Sequence, residues 1–234
     1  MIARELNYGR EAISGFLRKS RPYSSVLDIG AGKGHDLLAA RKIEPRAALY
    51  AIECYGPSAE LLRSAEIGTC AIDIERETIP FSADAFDVVI SNQTFEHLKE
   101  VFWVLHETSR VLRVGGHLIV GVPNLASLHN RLLLAFGRQP TPLKNNSAHV
   151  RGFTRADFVR LLDCFPQGYE LQAWRGSNFY PLPRPLAIPA ARLFPSMAWG
   201  VFMLFKKRRP YHREYLDFPR REQLETNFYL GSPA

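Results

Sequence analysis

Short apolar runs alternate with helix-patterned stretches through the first half of this 234-residue chain. The runs at Ser25–Ile29 and Ala48–Ile52, and at 86–90 and 117–122, are strand-length and apolar on both faces, as in buried parallel strands. A shorter strand is predicted at 69–72. Helices are predicted over 34–42, 57–64 and 101–112, the last stopped by a turn at Val114-Gly115-Gly116. Ahead of them, Ile2, Leu6, Ile13, Phe16 and Leu17 recur at roughly helical spacing, which predicts a leading helix within 1–23. Strands that alternate with helices imply a mostly parallel sheet, doubly wound, with helices on both faces.

After Pro123 the pattern changes. A helix is predicted over 124–136 with Leu128, Leu132 and Leu133 on one side, then a polar stretch with Pro140 and Pro142 leading to His149. Thr154-x-x-Asp157 can cap a helix that runs to Asp163, so 123–168 reads as a helical block. Strands follow at 169–174 and 199–205, with a proline-rich apolar stretch, 179–198, between them. Residues 186–205 carry a single charge, Arg192, and are long enough to span a bilayer, but Pro189 and Pro195 break any single helix. From Pro210 the composition turns polar and aromatic, which predicts an arm or tail over 210–234 beyond a single domain at 1–209.

The densest chemistry lies at Val26-Leu27-Asp28-Ile29-Gly30-Ala31-Gly32-Lys33-Gly34, an apolar strand breaking into three alternate glycines. Glycines permit the tight turn and let a ligand lie against bare backbone, while the helix start offers unpaired N–H groups. Asp28, inside the strand end, is costly unless it serves something. Glu53 follows the second strand, at the distance where an acid meets ribose hydroxyls. The third glycine arrives one residue early for a dinucleotide fingerprint, and Lys33 is followed by Gly34 rather than the Ser or Thr of a P-loop. Gly30–Gly34, Glu53, Asp73 and 91–97 each fall just past a predicted strand's C-terminal end, the ligand edge of open α/β sheets.

Together these segments resemble the class I S-adenosylmethionine-dependent methyltransferases. Phe86-Asp87-Val88-Val89-Ile90-Ser91-Asn92-Gln93-Thr94-Phe95-Glu96-His97-Leu98 is similar to the fourth-strand motif of the ubiquinone-type members. Gly121 to Leu132, Gly137 to Pro140 and His149 to Thr154 resemble small methyltransferases of cell-envelope glycan and lipid pathways. The resemblance covers most of residues 20–210. It implies a seven-stranded Rossmann-like sheet ending in an antiparallel hairpin, with 179–198 inserted in that hairpin.

It also implies S-adenosylmethionine as cofactor. Gly30, Ala31, Gly32 and Gly34 would line the methionine part, and Asp28 would orient its amino group. Glu53, with Cys54 beside it, would take the ribose hydroxyls. Asp73 and Ile74 would flank adenine, and Ser91 and Asn92 would touch the cofactor through backbone.

Glu96 and His97 would open toward the acceptor, His97 as general base, or as an orienting residue with Glu96 a helix-start charge. Some relatives carry Glu-x-x-Glu-His and bind a divalent metal there. This chain has Gln93-x-x-Glu96-His97, with His149 as a further candidate ligand, and a neutral Gln weakens the case for a metal.

The acceptor expected from the resemblance is a hydroxyl of a sugar, glycolipid or other small molecule. The alternatives are a cofactor-binding partner subunit without turnover, or a nucleic-acid methyltransferase. A net charge of +7 admits anionic partners. Nucleic acid is nonetheless not expected, because the chain shows no target-base motif and no separate RNA-binding module. Lys206-Lys207-Arg208-Arg209 reads either as a solvated strand end or as a membrane- or phosphate-facing patch. The stretch 179–198 is expected to cover the acceptor pocket or a second subunit of a homodimer, with peripheral membrane contact as the alternative.

With 46% hydrophobic and 23% charged residues the composition is that of a soluble globular protein. Cys54, Cys70 and Cys164 show no metal or disulfide spacing, and Arg4, Glu5, Arg10 and Glu11 interrupt any signal-peptide core. A cytoplasmic location is expected, at most peripheral to the inner face of a membrane.

Overall fold

The computed structural model describes residues 4–224 and 228–231. Its seven strands are β1 (Ser25–Ile29), β2 (Ala48–Ile52), β3 (Gly68–Cys70), β4 (Phe86–Asn92), β5 (Leu112–Pro123), β6 (Tyr169–Ser177) and β7 (Gly200–Lys207). They form one sheet in the order β3-β2-β1-β4-β5-β7-β6. The first five strands pair in parallel, while β7 runs antiparallel to both β5 and β6. This is the expected doubly wound sheet with an antiparallel C-terminal hairpin. The order reverses between β1 and β4, so their C-terminal ends open a crevice.

Alternate side chains of each strand feed opposite layers. Val26, Val88 and Ile90 pack with α1 (Arg10–Lys19) and α2 (His35–Ile43). Leu27, Ile29 and Val89 join α4 (Val101–Val111) and α6 (Arg155–Leu162) on the other face. Between α2 and α4 in the chain, α3 (Gly56–Ser64) buries Ala59 and Leu62. The acceptor-side segments add α5 (Leu128–Ala135) and α7 (Arg184–Leu193).

Several local expectations change. The leading helix is split: a 3-10 turn spans Arg4–Tyr8 and α1 starts only after Gly9, while Ile2 lies outside the described residues. Gly9 is left-handed at φ 55°, and the Phe202 ring fills the space where its Cβ would stand, so the chain must turn there. Val114-Gly115-Gly116 is not a free turn but an irregularity inside β5, whose register jumps from Phe86↔Leu112 to Val88↔His117.

The helix expected from 124 starts at Leu128, capped by Ser127, whose hydroxyl accepts from Asn130 N–H. Its inward residue is polar. Asn130 donates to Asn124 O and accepts from Thr141 N, whereas Leu132 stands exposed. The Thr154 cap on Asp157 N–H forms as expected.

Pro189 sits inside α7 rather than breaking it. It forfeits one backbone bond, and Ala187 and Ala191, buried against Phe179 and Ala198, hold the helix in place. The same packing leaves Leu186, Leu193 and Phe194 exposed on the single chain. The charge run is also broken: Lys207 is buried, its ammonium donating to Ser109 O and Leu112 O and pairing with Asp84. The segment expected as an arm instead contains α8 (Glu214–Arg221), docked on α4 with Tyr215 fully buried and its hydroxyl on Leu162 O. Residues 225–227 and 232–234 of that segment lie outside the described residues.

Among the described residues, no helix is long and apolar enough to cross a membrane.

Candidate functional site

The glycine turn leaves β1 and enters α2 through three left-handed residues, Gly30 at φ 75°, Gly32 at φ 53° and Gly34 at φ 73°. Gly30 N–H donates to Ile52 O, which ties the turn to β2. A Cβ on Gly30 would strike Thr94, whose hydroxyl donates to Ile29 O at 3.0 Å. Gly32 faces open space, with no atom within 4 Å of its absent Cβ. Behind the turn, Glu53 clamps it: one carboxylate oxygen accepts from Gly32 N–H at 2.7 Å and the other from Tyr55 N–H at 2.8 Å.

A cavity of about 710 Å³ opens at this edge, with Asp28, Gly30, Ala31, Gly32 and Asn92 in its wall. Asp28 is 2% exposed and its Oδ1 has no partner. Burial, and then the charge of Asp36, push its carboxyl well above the usual range, with Arg10 pulling the other way. Asp36 is itself engaged, accepting from Asn92 Nδ2 at 2.8 Å and pairing with Arg10 at 2.7 Å.

Sequence reasoning missed Arg10 and Asp36, and it gave Asn92 only a backbone role. The available signal was Asp36 in the first turn of α2, two residues past Gly34. Gly34 and Glu53 support the turn from outside the cavity. Cys54 is an exposed free thiol beside Glu53. Asp73 is spent in a local turn, accepting from Glu75 N–H and donating its own N–H to Glu77, with Ile74 half-buried next to it. The Ser91 hydroxyl is buried without a partner.

A second cluster follows β4. Gln93 takes a left-handed φ of 59° and holds Gly121 O through its N–H, which throws the next residues into a 3-10 turn, Phe95–His97. Val150 N–H and Arg151 N–H both donate to Glu96 O, laying the 148–151 loop across that turn. As a result Glu96, His97 and His149 converge, their nearest carboxylate and ring-nitrogen atoms all within 4.8 Å of one another.

His97 Nδ1 donates to Ala148 O at 3.2 Å, so in the neutral ring Nε2 carries the lone pair, 4.0 Å from Glu96 Oε1. Glu96 is 1% exposed with both oxygens unpartnered, and burial raises its pKa to about 7. His149 Nδ1 is also buried without a partner, and burial, with His97 beside it, lowers the His149 pKa. The three candidate catalytic residues therefore meet in space, although 149 is distant in sequence.

Residues 27–120 match the family model described as a methyltransferase domain. The uncharacterized methyltransferase YcgJ of Bacillus subtilis is 32% identical over 160 residues, covering 64% of this chain and 59% of YcgJ. Malonyl-[acyl-carrier protein] O-methyltransferase of Methylococcus capsulatus is 29% identical over 123 residues, 50% of this chain and 44% of that protein. The chain thus spans about half the length of these curated relatives.

Among solved structures, YcgJ superposes with a TM-score of 0.60 over 85% of this chain and 99% of its own, at 18% identity. The plantazolicin methyltransferase BpumL, in complex with a monoazolic desmethylPZN analogue and SAH, gives a TM-score of 0.62 over 88% of this chain and 86% of its own, at 17% identity. The superpositions give this chain the fold of S-adenosylmethionine-dependent methyltransferases, and residues 27–120 carry the match to a methyltransferase domain.

The residues present fit that cofactor. A buried, orphaned Asp28 oxygen beside an open glycine suits an ammonium group. The Glu53 carboxylate, with two N–H donors already bound, retains lone pairs for hydroxyl donors. The Glu96–His97–His149 donor set also suits a divalent cation, with one carboxylate and two imidazole nitrogens.

Proposed function

We propose that this protein transfers a methyl group from S-adenosylmethionine to an oxygen acceptor, a hydroxyl of a sugar, glycolipid or other small molecule. The observation that carries the choice of oxygen is the Glu96–His97–His149 cluster one turn beyond the cofactor edge, because a hydroxyl needs a base and this cluster offers one. Held at the glycine turn, the cofactor would supply a sulfonium methyl to the acceptor oxygen, the S–C bonding pair remaining on sulfur as the O–C bond forms.

The chain's own residues do the rest. Asp28 holds the amino group, Gly30 and Gly32 let the ligand lie on bare backbone, and Glu53 takes the ribose hydroxyls. His97 Nε2 accepts the acceptor's proton, and the Glu96 carboxylate facing it steadies the resulting imidazolium. The 148–151 loop, tied to Glu96 O, lies beside them.

Glu53→Ala is expected to weaken S-adenosylmethionine binding by about 1–3 kcal/mol, the scale of a lost charged hydrogen-bonding group. A folded variant with unchanged affinity by calorimetry would remove Glu53 from the ribose site.

A second reading of the same cluster rests on its three orphaned ligand atoms: a divalent cation bound there would activate the hydroxyl instead. His97→Ala is expected to lower turnover without changing cofactor affinity, with chelator having no effect on the parent. Activity abolished by chelator and restored by Mg²⁺ would replace the base with the cation. Full activity in His97→Ala together with chelator indifference would remove both roles. Failure of any acceptor in a sugar and glycolipid screen, with cofactor binding intact, would favour a partner subunit without turnover, and methylation of nucleic acid alone would favour that class. The exposed Leu186, Leu193 and Phe194 of α7 are read as the face for a second subunit or a lipid surface.

A further inference from the structure

A second cavity, about 640 Å³, opens between α1, the C-terminal end of β6 and α7. Glu5 and Arg10 line both this cavity and the cofactor cavity, so the two adjoin. Because β6 and β5 are each antiparallel to β7, β6 ends at Ser177 on the same sheet edge as the glycine turn. Leu6, Ala12, Ile188 and Ala191 give the cavity an apolar wall.

Among the described residues, its charged side chains are paired with one exception. Arg10 pairs with Asp36 at 2.7 Å, Arg184 with Glu5 at 3.4 Å and Arg192 with Glu11 at 2.6 Å. The Ser177 hydroxyl is spent on Leu6 O at 2.5 Å. The side chain of Arg175, an exposed residue in the same wall, has no hydrogen bond, ion pair or ring contact among the described residues. Its guanidinium lies over Gly15 of α1, with Nη1 3.8 Å from where a Cβ on that glycine would be, so no larger side chain of α1 competes for the space. A guanidinium presents a planar fork of donors that suits a carboxylate or phosphate.

We propose that this cavity takes the anionic end of an amphipathic acceptor, an apolar body bearing one carboxylate or phosphate, with Arg175 as the specificity-determining residue. The name acceptor rests on the methyl-transfer reading; the anion site does not.

Calorimetric titration of the full chain with octanoate and octyl phosphate, against octan-1-ol and inorganic phosphate, tests it. Both amphipathic anions are expected to bind at least tenfold more tightly than either comparison compound. Arg175→Gln is expected to lose about tenfold in octanoate affinity, Arg175→Lys to recover part of it, and both to keep the parent affinity for S-adenosylhomocysteine. The proposal is overturned if octan-1-ol matches octanoate, if inorganic phosphate matches octyl phosphate, if no probe binds, or if Arg175→Gln leaves octanoate binding unchanged. A parent protein that binds the anions but not S-adenosylhomocysteine would instead sink the methyl-transfer reading alone.

Discussion

Glu96→Gln is expected to be more stable than the parent at pH 8, by about 3 kcal/mol, and to lose most of that advantage by pH 5. The buried Glu96 carboxyl titrates at about 7, against 4.5 for an unperturbed glutamate, because burial penalises its charged form. The folded state therefore holds the proton more tightly than the unfolded state. Stability is full below about pH 4.5 and falls as pH rises through about 7. Gln removes the titrating group and with it the loss. Denaturant melts of both proteins at the two pH values measure the double difference, and a gap that does not change with pH would show that Glu96 is not desolvated. The same variant should lose methyl transfer by about 10²-fold or more if the carboxylate steadies a protonated His97, with S-adenosylhomocysteine affinity unchanged.

Gly30→Ala and Gly32→Ala should separate folding from ligand binding. Both positions are left-handed, which costs a residue with a Cβ about 1–2 kcal/mol. At Gly30 the added Cβ also meets the Thr94 side chain, which must give way and lose its bond to Ile29 O. That variant is expected to lose several kcal/mol in stability, within the range of an overpacked, strained site. At Gly32 nothing stands in the way but the cavity itself. Gly32→Ala should stay within about 2 kcal/mol of the parent in stability while weakening S-adenosylhomocysteine binding by more than tenfold. Thermal melts and calorimetry report the two effects separately. Equal cofactor affinity in a folded Gly32→Ala protein would place the ligand elsewhere.

The strands were the most legible part of the chain. Ser25–Ile29 and Ala48–Ile52 are observed at their expected bounds, because a strand buried on both faces must be apolar throughout and stop where the backbone turns. The glycine turn was legible for a similar reason, since only glycine takes three left-handed φ values so close together. Boundaries failed where tertiary packing overrode local preference. Gly9 breaks the leading helix because Phe202, nearly two hundred residues on, occupies its Cβ space. The helix around Pro189 survives because Ala187 and Ala191 are buried. Residues 214–221 dock because Tyr215 finds a place beneath α6.

The site divides the same way. Local sequence determined the αβ alternation, the strand-end position of Gly30–Gly34, Glu53, Asp73 and 91–97, and the Thr154 cap. Each of these depends on a few consecutive residues and their backbone freedom. Only the tertiary structure decided that His149 reaches Glu96 and His97, that Arg10 and Asn92 meet at Asp36, and that the Arg175 side chain is left without a partner among the described residues. Those outcomes turn on which side chains share a few ångströms after the sheet has closed, and burial then sets their charge. A sequence lists the acids, histidines and arginines, but the desolvation that raises Glu96 and orphans Asp28 exists only once the chain has packed around them.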